Sequence, residues 1–289
     1  MNLVVGATGM LGSEICRLLA ESGRPVRGLV RPTSDAGKVE RLRSVGVDVV
    51  EGDLADQESL ERACAGAATV LSTATAIGTG ESLEETDDRG NGRLIEAARE
   101  TDVGHFLFVS FVELPVRFPL QDAKRSVERR LQGALPYTIL RPSLFMEFWL
   151  GPIAGWDIAN GRVTVLGSGD RTLNWISLVD VARMAVAAMS DPRAHDTVLE
   201  FGADYASANE ALALAEEAAG EQFQVEHVPI EQLQAEKEAV EDPHGESFAG
   251  IRLSAALGYP EDHTATLREF VPDPVTLRAF MLERATRGS

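Results

Sequence analysis

The chain has 289 residues, 44% hydrophobic and 25% charged, proportions of an ordinary folded protein that exclude a disordered, collagen-like or disulfide-built chain. Its 45 acidic against 27 basic side chains give a formal net charge of -18. A surface of that sign repels phosphate backbones and anionic headgroups, so neither nucleic acid nor a membrane surface is an expected partner.

Short apolar runs alternate with amphipathic stretches through the first half, predicting strands near 2–6, 25–31, 47–51, 69–73, 105–110 and 136–141 with helices between them. In the first helix Leu11, Ile15, Leu18 and Leu19 recur at helical spacing, and Gly23 with Pro25 stops it before Val26 opens the next strand. Such alternation implies right-handed crossovers and a parallel sheet with helices on both faces. After Pro142 it breaks down. An aromatic-rich stretch (Phe145, Phe148, Trp149, Trp156) is followed by a strand at 162–166 and a helix that Asp180 is expected to cap. Ser207 and Glu210 then form a capping box opening an Ala-rich helix to Ala219. An acidic segment at 231–242 and a last helix near 274–285 complete the chain. The expected fold is α/β: a doubly wound parallel sheet over residues 1–141, and a smaller C-terminal substrate lobe over 142–289 with some segments returning to the first domain.

Cys16 and Cys64 fall on helical patterns and read as small core residues in a reducing compartment. No run approaches the roughly 18 apolar residues of a membrane span, and no basic signal-type start precedes the first strand, so the expected location is cytoplasmic. The first half holds 22 acids and 17 bases (net -5) and the rest 23 acids and 10 bases (net -13), so cations able to hold an anion are concentrated in the first half.

Gly6-Ala7-Thr8-Gly9-Met10-Leu11-Gly12 follows an apolar strand and opens a helix, the context of a dinucleotide fingerprint. Gly6 allows the tight turn, Gly9 the approach of backbone to a pyrophosphate, and Gly12 close helix-to-strand contact. Gly6, Thr8, Gly9, Met10, Leu11 and Gly12 are therefore expected to contact a dinucleotide, its phosphates facing the helix start. About 20 residues on, where an acid would select NAD, the strand ends in Arg31, followed by Thr33 and Ser34. A guanidinium fork with two hydroxyls suits a 2′-phosphate, so the expected cofactor is NADP(H). Asp53 and Leu54 end the third strand where an adenine edge would lie; Asp53 either accepts from the exocyclic amine or caps the next helix. The five histidines are scattered, with no His-Glu-x-x-His or Cys-x-x-Cys spacing in the chain, so no metal site is expected.

Taken together these segments resemble the atypical short-chain dehydrogenase/reductases, specifically the NmrA-like group. The resemblance rests on the glycine motif at 6–12, Gly52-Asp53-Leu54, Asn91 within 88–92, Phe108-Val109-Ser110, Ala123-Lys124 with Glu128, Leu140-Arg141-Pro142 with Phe145-Met146-Glu147, and Asn174-Trp175-Ile176-Ser177 before Asp180-Val181-Ala182. It implies a Rossmann-type fold in which Ser72, Thr73 and Ala74 line the cofactor and Pro142 and Ser143 flank the nicotinamide. Ser110 and Lys124 stand where ordinary short-chain reductases place their catalytic Ser and Lys, so both are candidate catalytic residues, Lys124 also a ribose contact. The tyrosine expected four residues before Lys124 is Leu120, which removes the phenol of the usual alcohol–ketone mechanism. Phe111, Phe145, Phe148 and Trp149 follow the fifth and sixth strands and are the candidate substrate contacts. The expected function is NADPH-dependent reduction of a small hydrophobic or aromatic acceptor by hydride transfer without that tyrosine. The alternative is a non-catalytic NADP-binding redox sensor of the NmrA type.

Overall fold

The computed structural model describes residues 1–287. The chain divides into two compact units, one formed by residues 1–111, 122–141 and 181–199, the other by 112–121, 142–180 and from Glu200 onward.

In the first unit β1 (Asn2–Val5), β2 (Val26–Val30), β3 (Asp48–Glu51), β4 (Thr69–Ser72), β5 (His105–Val109) and β6 (Tyr137–Pro142) lie within one residue of the expected runs at each end. Across the sheet they stand in the order β6-β5-β4-β1-β2-β3, with a seventh strand, Thr197–Phe201, beyond β6. Every pairing from β3 to β6 is parallel. The helices are α1 (Met10–Glu21), α2 (Ala36–Ser44), α3 (Gln57–Cys64), α4 (Asn91–Glu100) and α5 (Pro119–Leu131), with a π-helical turn at Glu84–Gly90 before α4. This is a Rossmann-like α/β fold. Helices cover both faces of a doubly wound sheet, so its inner strands read as unbroken apolar runs rather than alternating ones. All five residues of β5 are buried. On one face Leu3, Val5, Phe106 and Phe108 pack with Leu60, Leu94 and Ile95, side chains each worth about 1.5–3 kcal/mol when taken out of water. Cys16 and Cys64 are free thiols inside this unit, and burial pushes both up to about 12.

The second unit contains β7 (Leu144–Phe145), β8 (Trp156–Asp157), β9 (Arg162–Leu166) and β10 (Thr172–Ile176), while the Thr197–Phe201 strand, β11, passes into it from the large sheet. With β12 (Asp204–Ser207) and β13 (Gln224–Val228) these form two three-stranded sheets, β12-β10-β7 and β13-β9-β8. Its helices are α6 (Met146–Trp149), α8 (Ala208–Ala219), α9 (Ile230–Ala239), α10 (Pro243–Leu257), α11 (Thr264–Phe270) and α12 (Leu277–Arg287), while α7 (Leu178–Ala188) starts in this unit and from Val181 belongs to the first. The Ser207–Glu210 capping box forms as expected, and Gly220 closes α8 with φ at +74°.

Two capping expectations are corrected. The backbone N–H of Asp180 donates to Ser177 Oγ, so Ser177 caps α7, while the Asp180 carboxylate accepts from the Val275 N–H. Asp56, not Asp53, caps α3, accepting from the amides of Glu58 and Ser59. In both cases the residue at the better offset for the second and third amides of the helix takes the role.

Candidate functional site

β1 leads into β2 and β3 on one side of the sheet and β4 leads into β5 and β6 on the other, so the topology reverses between β1 and β4. Ligands of open α/β sheets bind outside the carboxyl ends of the strands at such a point. After Val5 the chain turns through Gly6, whose φ of +84° excludes most side chains, and a Cβ there would lie 2.6 Å from Thr73 Oγ1. At Gly12 a Cβ would sit 2.2 Å from the Gly6 carbonyl oxygen; only glycine lets α1 begin so close to the end of β1. Gly9 is different. Its added Cβ would meet, within 4 Å, only the Gly6 carbonyl oxygen, tightly at 3.2 Å, so beyond that contact the space a side chain would take is open.

Asp35, Asp56 and Ser207 cap α2, α3 and α8 with side-chain oxygens. No side chain caps α1, and its first turn carries no acid. The first-turn amides and the positive end of the helix dipole are thereby offered to an anion. Thr8 is half-buried, Leu11 buried, and Met10 is 71% exposed at the helix start. These features fit the pyrophosphate of a dinucleotide.

At the end of β4, Thr73 Oγ1 donates to the Val5 carbonyl at 3.2 Å. Ser72 is fully buried and donates its hydroxyl to Asn91 Oδ1 at 2.6 Å, so its side chain is engaged within the protein. The Ala74 carbonyl accepts from Lys124 Nζ at 3.2 Å. That ammonium also stands 3.0 Å from Asp87 Oδ1 and 5.0 Å from the centre of the Phe108 ring. Lys124 and Asp87 form a buried ion pair. Asp87 comes from the π-helical turn, and its Oδ2 accepts from the Ala76 N–H at 2.8 Å. Sequence reasoning missed Asp87 because it lies in an acidic run that reads as a solvated face. Lys124, the one lysine of α5 and one of three in the chain, was the signal that a buried acid should answer it.

Ser110 does not meet the lysine. Its hydroxyl oxygen accepts from Arg125, whose guanidinium also donates to the Phe111 carbonyl and to Glu128. Glu128 in turn receives Arg141, with Nη2 to Oε2 at 2.6 Å. Ser110 Oγ is thus oriented as an acceptor towards Arg125, leaving its own hydrogen to donate. The Arg125 guanidinium lies 5.5 Å from the centre of the Phe111 ring.

At the end of β2 the Arg31 guanidinium pairs with the Glu81 carboxylate, and the Arg31 N–H donates to Ser34 Oγ. Asp53 accepts from the Ala55 N–H, while its own N–H donates to Ser59 Oγ; Leu54, next along, is half-buried.

In the second unit Ser143 is buried and donates its hydroxyl to the Phe201 carbonyl, and its neighbour Pro142 is also buried. Phe148 and Trp149 meet edge to face at 5.1 Å, and Trp149 stacks on Phe248 at 5.9 Å. Phe248 was not anticipated, since nothing in the sequence brings it to Trp149. Phe145 is half-buried beside them in sequence. A cavity of about 30 Å³ lined by Leu144, Trp149, Trp156 and Trp175 has room for a water, not an aromatic ring. In this unit Glu200, Glu261 and His263 also converge, their ligand atoms within 4.8 Å of one another. The buried Asn174 side chain holds the backbone of Glu261 and His263, a convergence no motif spacing announces.

The model of the NmrA-like family matches residues 2–279. The chain belongs to the NmrA-like family. Among curated NmrA-like relatives it is 34% identical over 277 residues to the isoflavone reductase homolog IRL of Zea mays, covering 89% of this chain and 84% of that one. It is 27% identical over 276 residues to the NAD(P)H azoreductase of Xenophilus azovorans, covering 94% and 92%. The same fold occurs in the triphenylmethane reductase of Citrobacter sp., crystallised with NADP(H), at 21% identity with a TM-score of 0.79 over 99% of this chain and 100% of that one. Among the described residues, no helix of this NmrA-like chain is long and apolar enough to cross a membrane.

Proposed function

We propose that the chain is an NADPH-dependent reductase of a small hydrophobic or aromatic acceptor. The observation that carries this reading is the uncapped start of α1 behind Gly9, at the reversal point of a parallel sheet whose neighbouring strand ends supply Arg31 and the Lys124–Ala74 contact. In this reading Gly6, Thr8, Gly9, Met10, Leu11 and Gly12 hold the pyrophosphate and Arg31 the 2′-phosphate. Asp53 and Leu54 meet the adenine, the backbone of Ser72 with Thr73 and Ala74 lines the dinucleotide, and Pro142 and Ser143 flank the nicotinamide. NADPH, when bound, supplies a hydride.

The rest falls to the protein's own groups. Lys124 donates to the Ala74 carbonyl and makes a charge contact with Asp87, and in this reading a remaining N–H serves a ribose hydroxyl or the reacting oxygen. Ser110, fixed by Arg125, donates its hydrogen to the acceptor. Phe111, Phe145, Phe148 and Trp149 are the proposed aromatic contacts. Leu120 is buried and its N–H donates to Ser247 Oγ, so position 120 offers packing and no acid. An acceptor that takes hydride without needing a phenol suits this site: a cationic conjugated dye or a quinone, which need no proton in that step, or an azo compound, whose nitrogen would take its proton from Lys124, Ser110 or water. The names of the azoreductase and triphenylmethane reductase relatives support that class. The absence of an acid at Leu120 equally suits a redox sensor that binds NADP without turnover.

The two readings separate in one experiment. NADPH binding is titrated by fluorescence, then triphenylmethane and azo dyes and quinones are screened for loss of the reduced-nicotinamide absorbance. Turnover of one of them is the expected result; tight NADPH binding with none oxidised replaces the reductase by the sensor.

A further inference from the structure

The segment following β4 is built as a strap. The Ala76 N–H is tied to Asp87 Oδ2, and Leu83 is buried at the far end. Between them residues 77–82 are exposed. Gly78 and Gly80 sit at φ +73° and +77° with nothing within 4 Å of an added Cβ, while Thr79 bonds back to the Ala76 carbonyl and receives the Glu81 N–H. The strap then ends in the ion pair of Glu81 with Arg31. Sheet order makes this contact significant: β1 lies between β4 and β2, so two strand spacings, about 10 Å, separate the strand that sends out the strap from the one that ends in Arg31. The Glu81–Arg31 pair therefore spans the carboxyl end of β1, where the Gly6–Gly12 turn lies.

We infer that Glu81 is a built-in competitor for the 2′-phosphate, setting how strongly the site prefers NADPH over NADH; this rests on the proposal that Arg31 receives that phosphate. Both partners are 42% exposed, so the pair is a weak surface ion pair, easily exchanged for a stronger one. A phosphate dianion carries more charge than a carboxylate and accepts two guanidinium N–H bonds in parallel. It displaces Glu81 from Arg31, and the strap, having lost its outer anchor, is released between its two glycines. A dinucleotide without the 2′-phosphate leaves the pair and the strap as they are. Glu81 thus lowers affinity for NADPH and leaves NADH untouched.

The test uses the full chain, with dissociation constants of NADPH, NADH, 2′,5′-ADP and 5′-AMP measured for the unmodified protein, Glu81→Gln, Arg31→Ala and the double variant. Glu81→Gln should tighten NADPH and 2′,5′-ADP about fivefold, the worth of an exposed ion pair, and leave NADH and 5′-AMP unchanged. In the Arg31→Ala background the same substitution should shift NADPH by no more than NADH. Hydrogen exchange across residues 77–82 should speed up on adding 2′,5′-ADP and not on adding 5′-AMP. If Arg31→Ala leaves NADPH affinity intact, the placement of the 2′-phosphate fails and the inference with it. If Arg31→Ala weakens NADPH while Glu81→Gln does not tighten it, or moves NADH equally, the placement stands and the competitor role of Glu81 is overturned.

Discussion

Replacing Lys124 by Met removes the ammonium while keeping most of the stem that crosses Phe108, and it leaves Asp87 as a fully buried carboxylate whose identified remaining donor is the Ala76 N–H. Breaking a buried ion pair from one side costs about 3–5 kcal/mol, because the surviving charge stays out of water without its counter-ion. That is a large part of the 5–15 kcal/mol by which a typical domain is stable. Adding Asp87→Asn removes the stranded charge, and an Asn side-chain oxygen can still accept from Ala76. The double variant should therefore be more stable than Lys124→Met alone, recovering about half or more of the loss. Urea denaturation of the four proteins closes the cycle, provided the m-values agree. A Lys124→Met protein within about 1 kcal/mol of the original, or a double variant less stable than either single one, would refute the buried pair. The cycle also bears on catalysis: activity lost in Lys124→Met could reflect a damaged fold, so the double variant, with folding restored, is the one in which turnover and NADPH binding should be read. Turnover is expected to be lost and binding retained.

Gly9→Val should abolish dinucleotide binding at far less cost to the fold than Gly12→Val, since Gly9 has φ at -74° and its Cβ would crowd only the Gly6 carbonyl oxygen, at 3.2 Å; Gly12→Val, with its Cβ 2.2 Å from that oxygen, should not fold. Circular dichroism and NADPH titration distinguish the two. His105 is buried against His195, and burial first, then the neighbouring ring, lowers its pKa from 6.5 to about 4. The folded state thus binds fewer protons than the unfolded one between those values, and this contribution is complete above about pH 6.5 and lost as pH falls towards 4, amounting to about 3 kcal/mol. Urea midpoints at the two ends of that window should differ more for the unmodified chain than for His105→Gln; an equal difference sinks the assignment. Leu120→Tyr places a phenol one helical turn before Lys124 and should speed reduction of a carbonyl substrate but not of a cationic dye. Because Leu120 is buried, overpacking should cost about 1–3 kcal/mol in the same denaturation assay.

What could be read from the sequence follows physical range. Strands β1 to β6, the glycine turn and the Ser207 capping box are set by neighbours a few residues apart, and they appear where the pattern puts them. The partners of Lys124, Arg31 and Ser110 are not local. Asp87 is 37 positions from Lys124 and Glu81 is 50 from Arg31; each meets its cation only because the sheet order folds the segment after β4 back over neighbouring strand ends. Motif residues of the second unit proved to be joints. Glu147 accepts from the Leu178 N–H with burial holding its carboxyl above the usual range, and Asn174 clamps the backbone at 261 and 263. A motif records that a position matters without saying whether it touches ligand or holds a turn.

The surplus of cations read in the first half also changes meaning. Arg17, Arg27, Arg89, Arg93, Arg99, Arg130 and Arg141 each have an acidic partner close by, so the count of bases does not measure what is offered to an anion. On a chain of net charge -18 the long-range field opposes a phosphorylated cofactor, and at physiological salt that field decays over about 8 Å. Attraction has to be generated inside that distance, by groups already oriented. In the proposed placement the amides and dipole at the start of α1 do this without any side chain, and Arg31 does it with a charge that Glu81 already shares. Charge on the rest of the surface then acts on the other ligand: a cationic conjugated acceptor is drawn towards the protein and an anionic one is turned away. Under the proposed function, the same imbalance that leaves the cofactor site to a helix start and one arginine should favour cationic acceptors over anionic ones.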